Sequence, residues 1–156
     1  MRTLALVTCL AACSSDPSNV AGDFSVMVTN RDNGCNIANW TVGATNSATV
    51  TLTQRDNDVT ANVTGLGAFA LDLLLGGHAY TGKINDSDLA LDLFGVRSFT
   101  TGNCTYTFNS EIRATINGDL LEGQLNYRTA DNDNPDCAGL KNCLSFQDFS
   151  GTRTAR

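Results

Sequence analysis

Histidine occurs once and proline twice in these 156 residues. A single histidine leaves little room for imidazole-based acid–base chemistry or metal ligation. So little proline, beside 42% apolar residues, argues against a disordered or proline-rich chain. Positive charge is also short: 10 Lys and Arg against 16 Asp and Glu give a net charge of −6. That excludes the basic footprint a nucleic-acid binder needs. No apolar run approaches the roughly 20 residues of a membrane-spanning helix. The chain has no Gly-x-Ser-x-Gly elbow, no His-Glu-x-x-His and no phosphate loop. Glu111 and Glu122 are its only glutamates, and both alternate onto outward strand faces, so no paired-carboxylate hydrolase site emerges. These absences favour a protein that binds or builds over an enzyme, and no cofactor is expected.

The N-terminus is richer in information. Arg2 precedes a short apolar run, Leu4 to Ala12, that ends in small residues, which is the layout of a secretory signal peptide. Leu10-Ala11-Ala12-Cys13 resembles the lipobox of bacterial lipoproteins. The resemblance implies cleavage before Cys13, acylation of its sulfur and new amino group, and an outer-membrane location, since Ser14 rather than Asp follows. Several acyl chains on one residue anchor stably where one would not. The organisation expected is therefore a signal peptide over 1–12, a lipidated Cys13 with a polar tether over 13–22, and one domain over 23–156. Processing would remove Cys9 and cap Cys13, leaving Cys35, Cys104, Cys137 and Cys143. Four cysteines in an exported protein read as two disulfides. The pairs favoured here are Cys137–Cys143, closing a small ring, and Cys35–Cys104.

From Gly22 onward the hydrophobic period is two, not 3.6. Cys104 to Asn117 sorts most sharply: Tyr106, Phe108, Ile112 and Ile116 fall on one face, Thr105, Glu111, Arg113 and Thr115 on the other. Similar alternation marks strands over 23–29, 47–54, 58–64, 79–85, 88–94, 119–128 and a last one from Leu144, where Leu144 and Phe146 set the inward face and Phe149 implies a bulge. Asp56-Asn57, Asp86-Ser87 and Asn117-Gly118 are tight turns. The other connections, 30–46, 65–78, 95–103 and 129–142, are long. Strands running up and down in sequence order then form an eight-stranded antiparallel barrel, all-β, with short turns at one end and long loops, cysteines, Trp40 and His78 at the other. A two-sheet sandwich is the alternative fold. A membrane-spanning barrel is set aside because most strands look about seven residues long, below the nine to eleven or so needed to cross. The tether would leave from the short-turn end, so the barrel would stand on the membrane with its long loops facing away. Segment 66–75 suits a helix, a strand or a lid equally well.

Candidate sites are few. Asp131, Asp133 and Asp136 alternate with amides as calcium ligands do, but the EF-hand register fails: its sixth position lacks Gly and Asn142 replaces the bidentate glutamate. The acidic run reads better as a turn-rich loop, so no metal is expected. His78, after Gly76-Gly77, reads as a solvated loop residue rather than a general base. Gly22-Asp23-Phe24 is weakly similar to the Gly-x-Trp that opens lipocalin and streptavidin-like meander barrels, with Phe for Trp. The resemblance implies ligand binding at the open mouth, where Trp40, His78 and Tyr80 would cluster. Against it, inward positions such as Phe24, Leu52, Tyr80, Leu91, Phe108 and Tyr127 are bulky, which predicts a filled interior with Trp40 as its plug. The expected function is a lipid-anchored envelope barrel acting as a binding or interaction module, with a small apolar ligand or an envelope protein as partner. The alternative is a structural envelope lipoprotein or an inhibitor-type protein-binding barrel; some lipoprotein barrels of this size inhibit lysozyme, though none of that family's motifs occurs here.

Overall fold

A computed structural model describes residues 18–154. The expected signal peptide and lipobox, with Cys13, lie outside the described residues. Eight antiparallel strands close into a barrel in sequence order: β1 (Gly22–Asn33), β2 (Thr45–Arg55), β3 (Asp58–Thr64), β4 (Ala79–Asn85), β5 (Asp88–Thr101), β6 (Cys104–Asn117), β7 (Leu120–Asp131) and β8 (Ser145–Arg153). One helix, α1 (Leu66–Leu74), lies between β3 and β4. The seam is antiparallel too, with Val28 opposite Phe149 and Phe24 opposite Arg153. Closure leaves no free sheet edge and rules out the sandwich.

The turns follow from local chemistry. Asp56 and Asp86 take positive φ (55° and 52°), as does Gly118 (62°), which suits two-residue hairpins. The last turn is Gly118-Asp119, one residue later than the sequence suggests, because Asn117 still pairs with Leu120. These three turns share one end with the start of β1.

At the opposite end three connections are long, 34–44, 65–78 and 132–144. The fourth, expected as a loop over 95–103, is instead a hairpin extension: β5 runs on to Thr101 and turns at Gly102-Asn103 into Cys104. The irregular part is a bulge in which residues 95–97 face Phe108 alone. An ideal Cβ on Gly95 would sit 1.9 Å from the Phe108 carbonyl oxygen, so only glycine fits there.

Strand length corrects one argument. Six strands run from 9 to 14 residues; only β3 and β4 have 7. Length therefore does not distinguish this barrel from a spanning one. Outer-wall chemistry does. Outward positions carry Thr49, Thr51, Thr53 and charged pairs such as Lys83–Asp58 (2.7 Å), Arg31–Asp148 (2.7 Å) and Arg113–Glu111 (3.1 Å). Apolar residues face in, the reverse of a lipid-embedded barrel.

The four cysteines among the described residues sit at the long-loop end, but pair differently from the expected scheme: Cys35 with Cys143 and Cys104 with Cys137. Closure is the reason. It brings β1 beside β8, so Gly34 N–H donates to Leu144 C=O (3.0 Å) and Cys35 N–H to Ser145 Oγ (3.0 Å), placing Cys143 next to Cys35. Cys137, in a short 3-10 turn (Pro135–Cys137), falls over the start of β6 because Asp136 Oδ2 accepts from Asn103 N–H (2.9 Å) and Nδ2 (3.0 Å).

The last strand also differs. Ser145 pairs with Tyr127 and Gln147 with Leu125, so Ser145, Gln147 and Phe149 face in and Phe146 faces out. Phe149 keeps the period rather than breaking it. At the other end of the chain, Val20 belongs to the domain and not to a tether. It is fully buried, and its N–H donates to Gln54 Oε1 (2.8 Å).

Candidate functional site

The two ends of the interior are filled unequally. At the short-turn end Val20, Phe24, Val59, Ile84 and Ile116 are buried together. Arg153 lies over the Phe24 ring (4.8 Å) and donates to the carbonyls of Asn19 and Ala21, sealing that end. Above this layer the barrel contains a cavity of about 410 Å³. The expected filled interior is thus overturned for the long-loop half. There Ala48 and Ala61 stand where a filled core would need larger side chains, and Val28, Val50, Leu125 and Phe149 point inward yet are only half-buried because they face open space. The bulky Phe99, Tyr106 and Phe108 do not fill it either, since they stack on one another at centroid separations of 5.6–5.7 Å under the β5–β6 extension.

Helix α1 forms one side of the cavity wall. Leu66, Gly67, Ala70 and Leu71 line the cavity. The cavity meets solvent where exposed Asn46 and Ser47 of β2 approach exposed Leu66. The two ends of α1 are held differently. Its N-cap, Gly65, has a positive φ of 71° and contributes no side-chain cap. Past its C-terminal end, Leu75 is fully buried and its carbonyl accepts from Val96 N–H (2.8 Å) and Arg97 N–H (3.3 Å) of the β5 bulge. The outer face is apolar: Leu66, Phe69 and Leu73 are exposed, as are Phe94 and Val96 on β5.

Tyr80, Trp40 and His78 do not form one site. Tyr80 lines the cavity and its hydroxyl donates to Ser110 Oγ (3.1 Å). Trp40 does not line it. Its ring meets Tyr127, which does, edge-on at 5.8 Å, and its Nε1 donates to Arg31 C=O (2.8 Å). It roofs the Tyr127 side rather than plugging the interior. His78 is also outside the cavity. Its Nδ1 lies 2.8 Å from Asp72 Oδ1, with both side chains near half-exposed, so the pair ties the end of α1 to the start of β4 on the surface. The loop carboxylates do not converge. Asp136 holds Asn103, Asp133 pairs with Lys141 (3.1 Å), and Asp131 Oδ1 accepts from Asp133 N–H (2.8 Å). Among the described residues no three acidic, His or Cys side chains are grouped for a metal ion.

Sequence reasoning missed the polar thread in the cavity wall. Tyr127 O–H donates to Gln147 Oε1 (2.9 Å), Gln147 Nε2 to Asn30 Oδ1 (2.6 Å), and Asn30 Nδ2 to Thr41 C=O (3.1 Å). Choosing Phe149 rather than Phe146 as the inward residue of β8 would have exposed Gln147. Burial pushes the Tyr80 and Tyr127 phenols well above their ordinary value of 10.0, so both are neutral over the physiological range. No family model, no curated protein and no solved structure matches this chain.

Proposed function

We propose that this protein is a binding module of the bacterial envelope, anchored through a lipidated Cys13, which holds a small apolar molecule in the long-loop half of its barrel. The single observation carrying the reading is the 410 Å³ cavity with an apolar wall and a few convergent polar groups, the usual make-up of a small-molecule site. Scaling from an engineered 150 Å³ cavity that takes benzene, it suits a ligand of up to roughly sixteen or seventeen heavy atoms. The action is binding rather than catalysis. The Asp72–His78 pair that would suggest acid–base chemistry stands outside the cavity on the surface. The apolar dye N-phenyl-1-naphthylamine tests the reading. It should brighten on adding wild-type protein and stay dark with the cavity-filling variant Ala48→Phe, provided that variant keeps its disulfides and circular dichroism. Equal brightening by both would place the dye elsewhere and overturn the reading.

A second reading has its own support. Leu66 (87% exposed) and Phe69 (62%) on α1, and Phe94 (75%) and Val96 (78%) on β5, are exposed apolar side chains. Such surfaces mark contacts with other molecules. A partner protein from the envelope docking there would give an inhibitor-type or structural role. Dye brightening that survives Ala48→Phe but falls with Phe69→Ser and Phe94→Ser would favour it.

A further inference from the structure

The ligand class can be narrowed from the directions of hydrogen bonds in the wall; this rests on the chamber reading above. Asn30 anchors the thread. Its Nδ2 faces the Thr41 carbonyl, which can only accept, so Oδ1 must face Gln147. Gln147 must then present Nε2 to Asn30 and Oε1 to Tyr127. The Tyr127 hydroxyl is left no choice but to donate to Gln147. Its hydrogen is committed and its oxygen keeps free lone pairs. Tyr127 and Gln147 both line the cavity, and no charged side chain stands among its described lining residues.

We infer that the chamber selects a neutral, largely hydrocarbon molecule bearing a hydroxyl, a fatty or terpenoid alcohol by chemical class, whose O–H donates to the Tyr127 oxygen. Oxygens that only accept gain nothing from Tyr127, because its hydrogen is already spent, and the second Nε2 hydrogen of Gln147 serves an ether and an alcohol oxygen alike. An ionised head group would sit in the cavity uncompensated, which costs far more than a neutral one. Burial keeps both phenols neutral at pH 8, so neither adds a charge to the chamber.

Displacement of N-phenyl-1-naphthylamine by three ligands of matched length tests the assignment: 1-decanol, decyl methyl ether and decanoate at pH 8. Decanol should bind about three- to tenfold tighter than the ether, the worth of one ordinary hydrogen bond, and at least tenfold tighter than decanoate. Tyr127→Phe should bring decanol down to the level of the ether while leaving the ether within about twofold. Gln147→Leu should do the converse: it frees the Tyr127 hydrogen, so the ether rises toward decanol. The two variants guard against one failing to fold, and a merely structural role for either residue would move all three ligands together. Decanol equal to the ether in the wild type, or decanoate equal to or tighter than decanol, overturns the assignment while leaving the chamber standing. If the dye binds nowhere in the wild type, the chamber reading falls and this inference with it.

Discussion

The short-turn half and the long-loop half of this barrel solve the same geometric problem in opposite ways. The first is solid. Val20, Phe24, Val59, Ile84 and Ile116 fill it, three two-residue turns close it, and Arg153 seals it. The second is hollow, with half-buried inward residues around a cavity and long connections above it. Both disulfides sit at the hollow end. Packing holds one half together, while covalent staples hold the other where packing is missing. A hollow therefore need not weaken the whole barrel, because its losses fall where the chain is cross-linked.

The largest expected effect is on the staples. Replacing Cys35 and Cys143 by serine reopens a separation of 108 residues and should lower unfolding free energy by about 5 kcal/mol on loop entropy. Replacing Cys104 and Cys137, 33 apart, should lower it by about 4 kcal/mol. Guanidinium titration of the variants checks both, and equal stability to wild type would mean that the hollow half needs no bracing. Next comes a matched pair of truncations. Phe24→Ala in the solid half should cost about 3–5 kcal/mol. Phe149→Ala, whose ring already borders empty space, should cost about 1–2 kcal/mol, since it forfeits fewer contacts. Equal losses would erase the distinction between the halves.

Alkaline titration separates them less sharply. Tyr80 and Tyr127 are buried and neutral when folded, with phenols raised above 10.0. The unfolded chain ionises its tyrosines near 10.0 and the native one does not. The stability these two phenols contribute is present below that pH and falls as pH rises beyond it. Thermal melts of wild type should decline above about pH 10, and Tyr80→Phe should decline less steeply. The smallest effect should come from His78→Ala. It removes a half-exposed surface pair and should change stability by under about 1 kcal/mol and leave dye binding unchanged.

Most of this fold is legible in the chain. Alternation is a local property, so it marks all eight strands, and three of them, Asp58–Thr64, Ala79–Asn85 and Cys104–Asn117, to the residue. Turn chemistry at Asp56 and Asp86 is local too. What the sequence conceals is what closure creates. The Cys35–Cys143 bond crosses the seam between the first and last strands, a neighbourhood that no spacing rule shows. The hollow is hidden for a related reason. Bulky inward residues suggest a filled core only when height along the barrel is ignored: Phe24 and Ile84 crowd one end, Phe99, Tyr106 and Phe108 stack together, and Ala48 and Ala61 leave the remainder open. Segment 66–75 is ambiguous by periodicity because its helix is apolar on both faces, one lining the cavity and one exposed.

Methyl NMR during titration with 1-decanol tests the central contrast most directly. The account predicts saturable shift changes at Val28, Val50, Leu71 and Leu125 around the cavity, with Val59, Ile84 and Ile116 in the solid half unmoved. No saturable change at the first set, or changes spread evenly over both, would contradict a barrel that is solid at one end and a ligand chamber at the other.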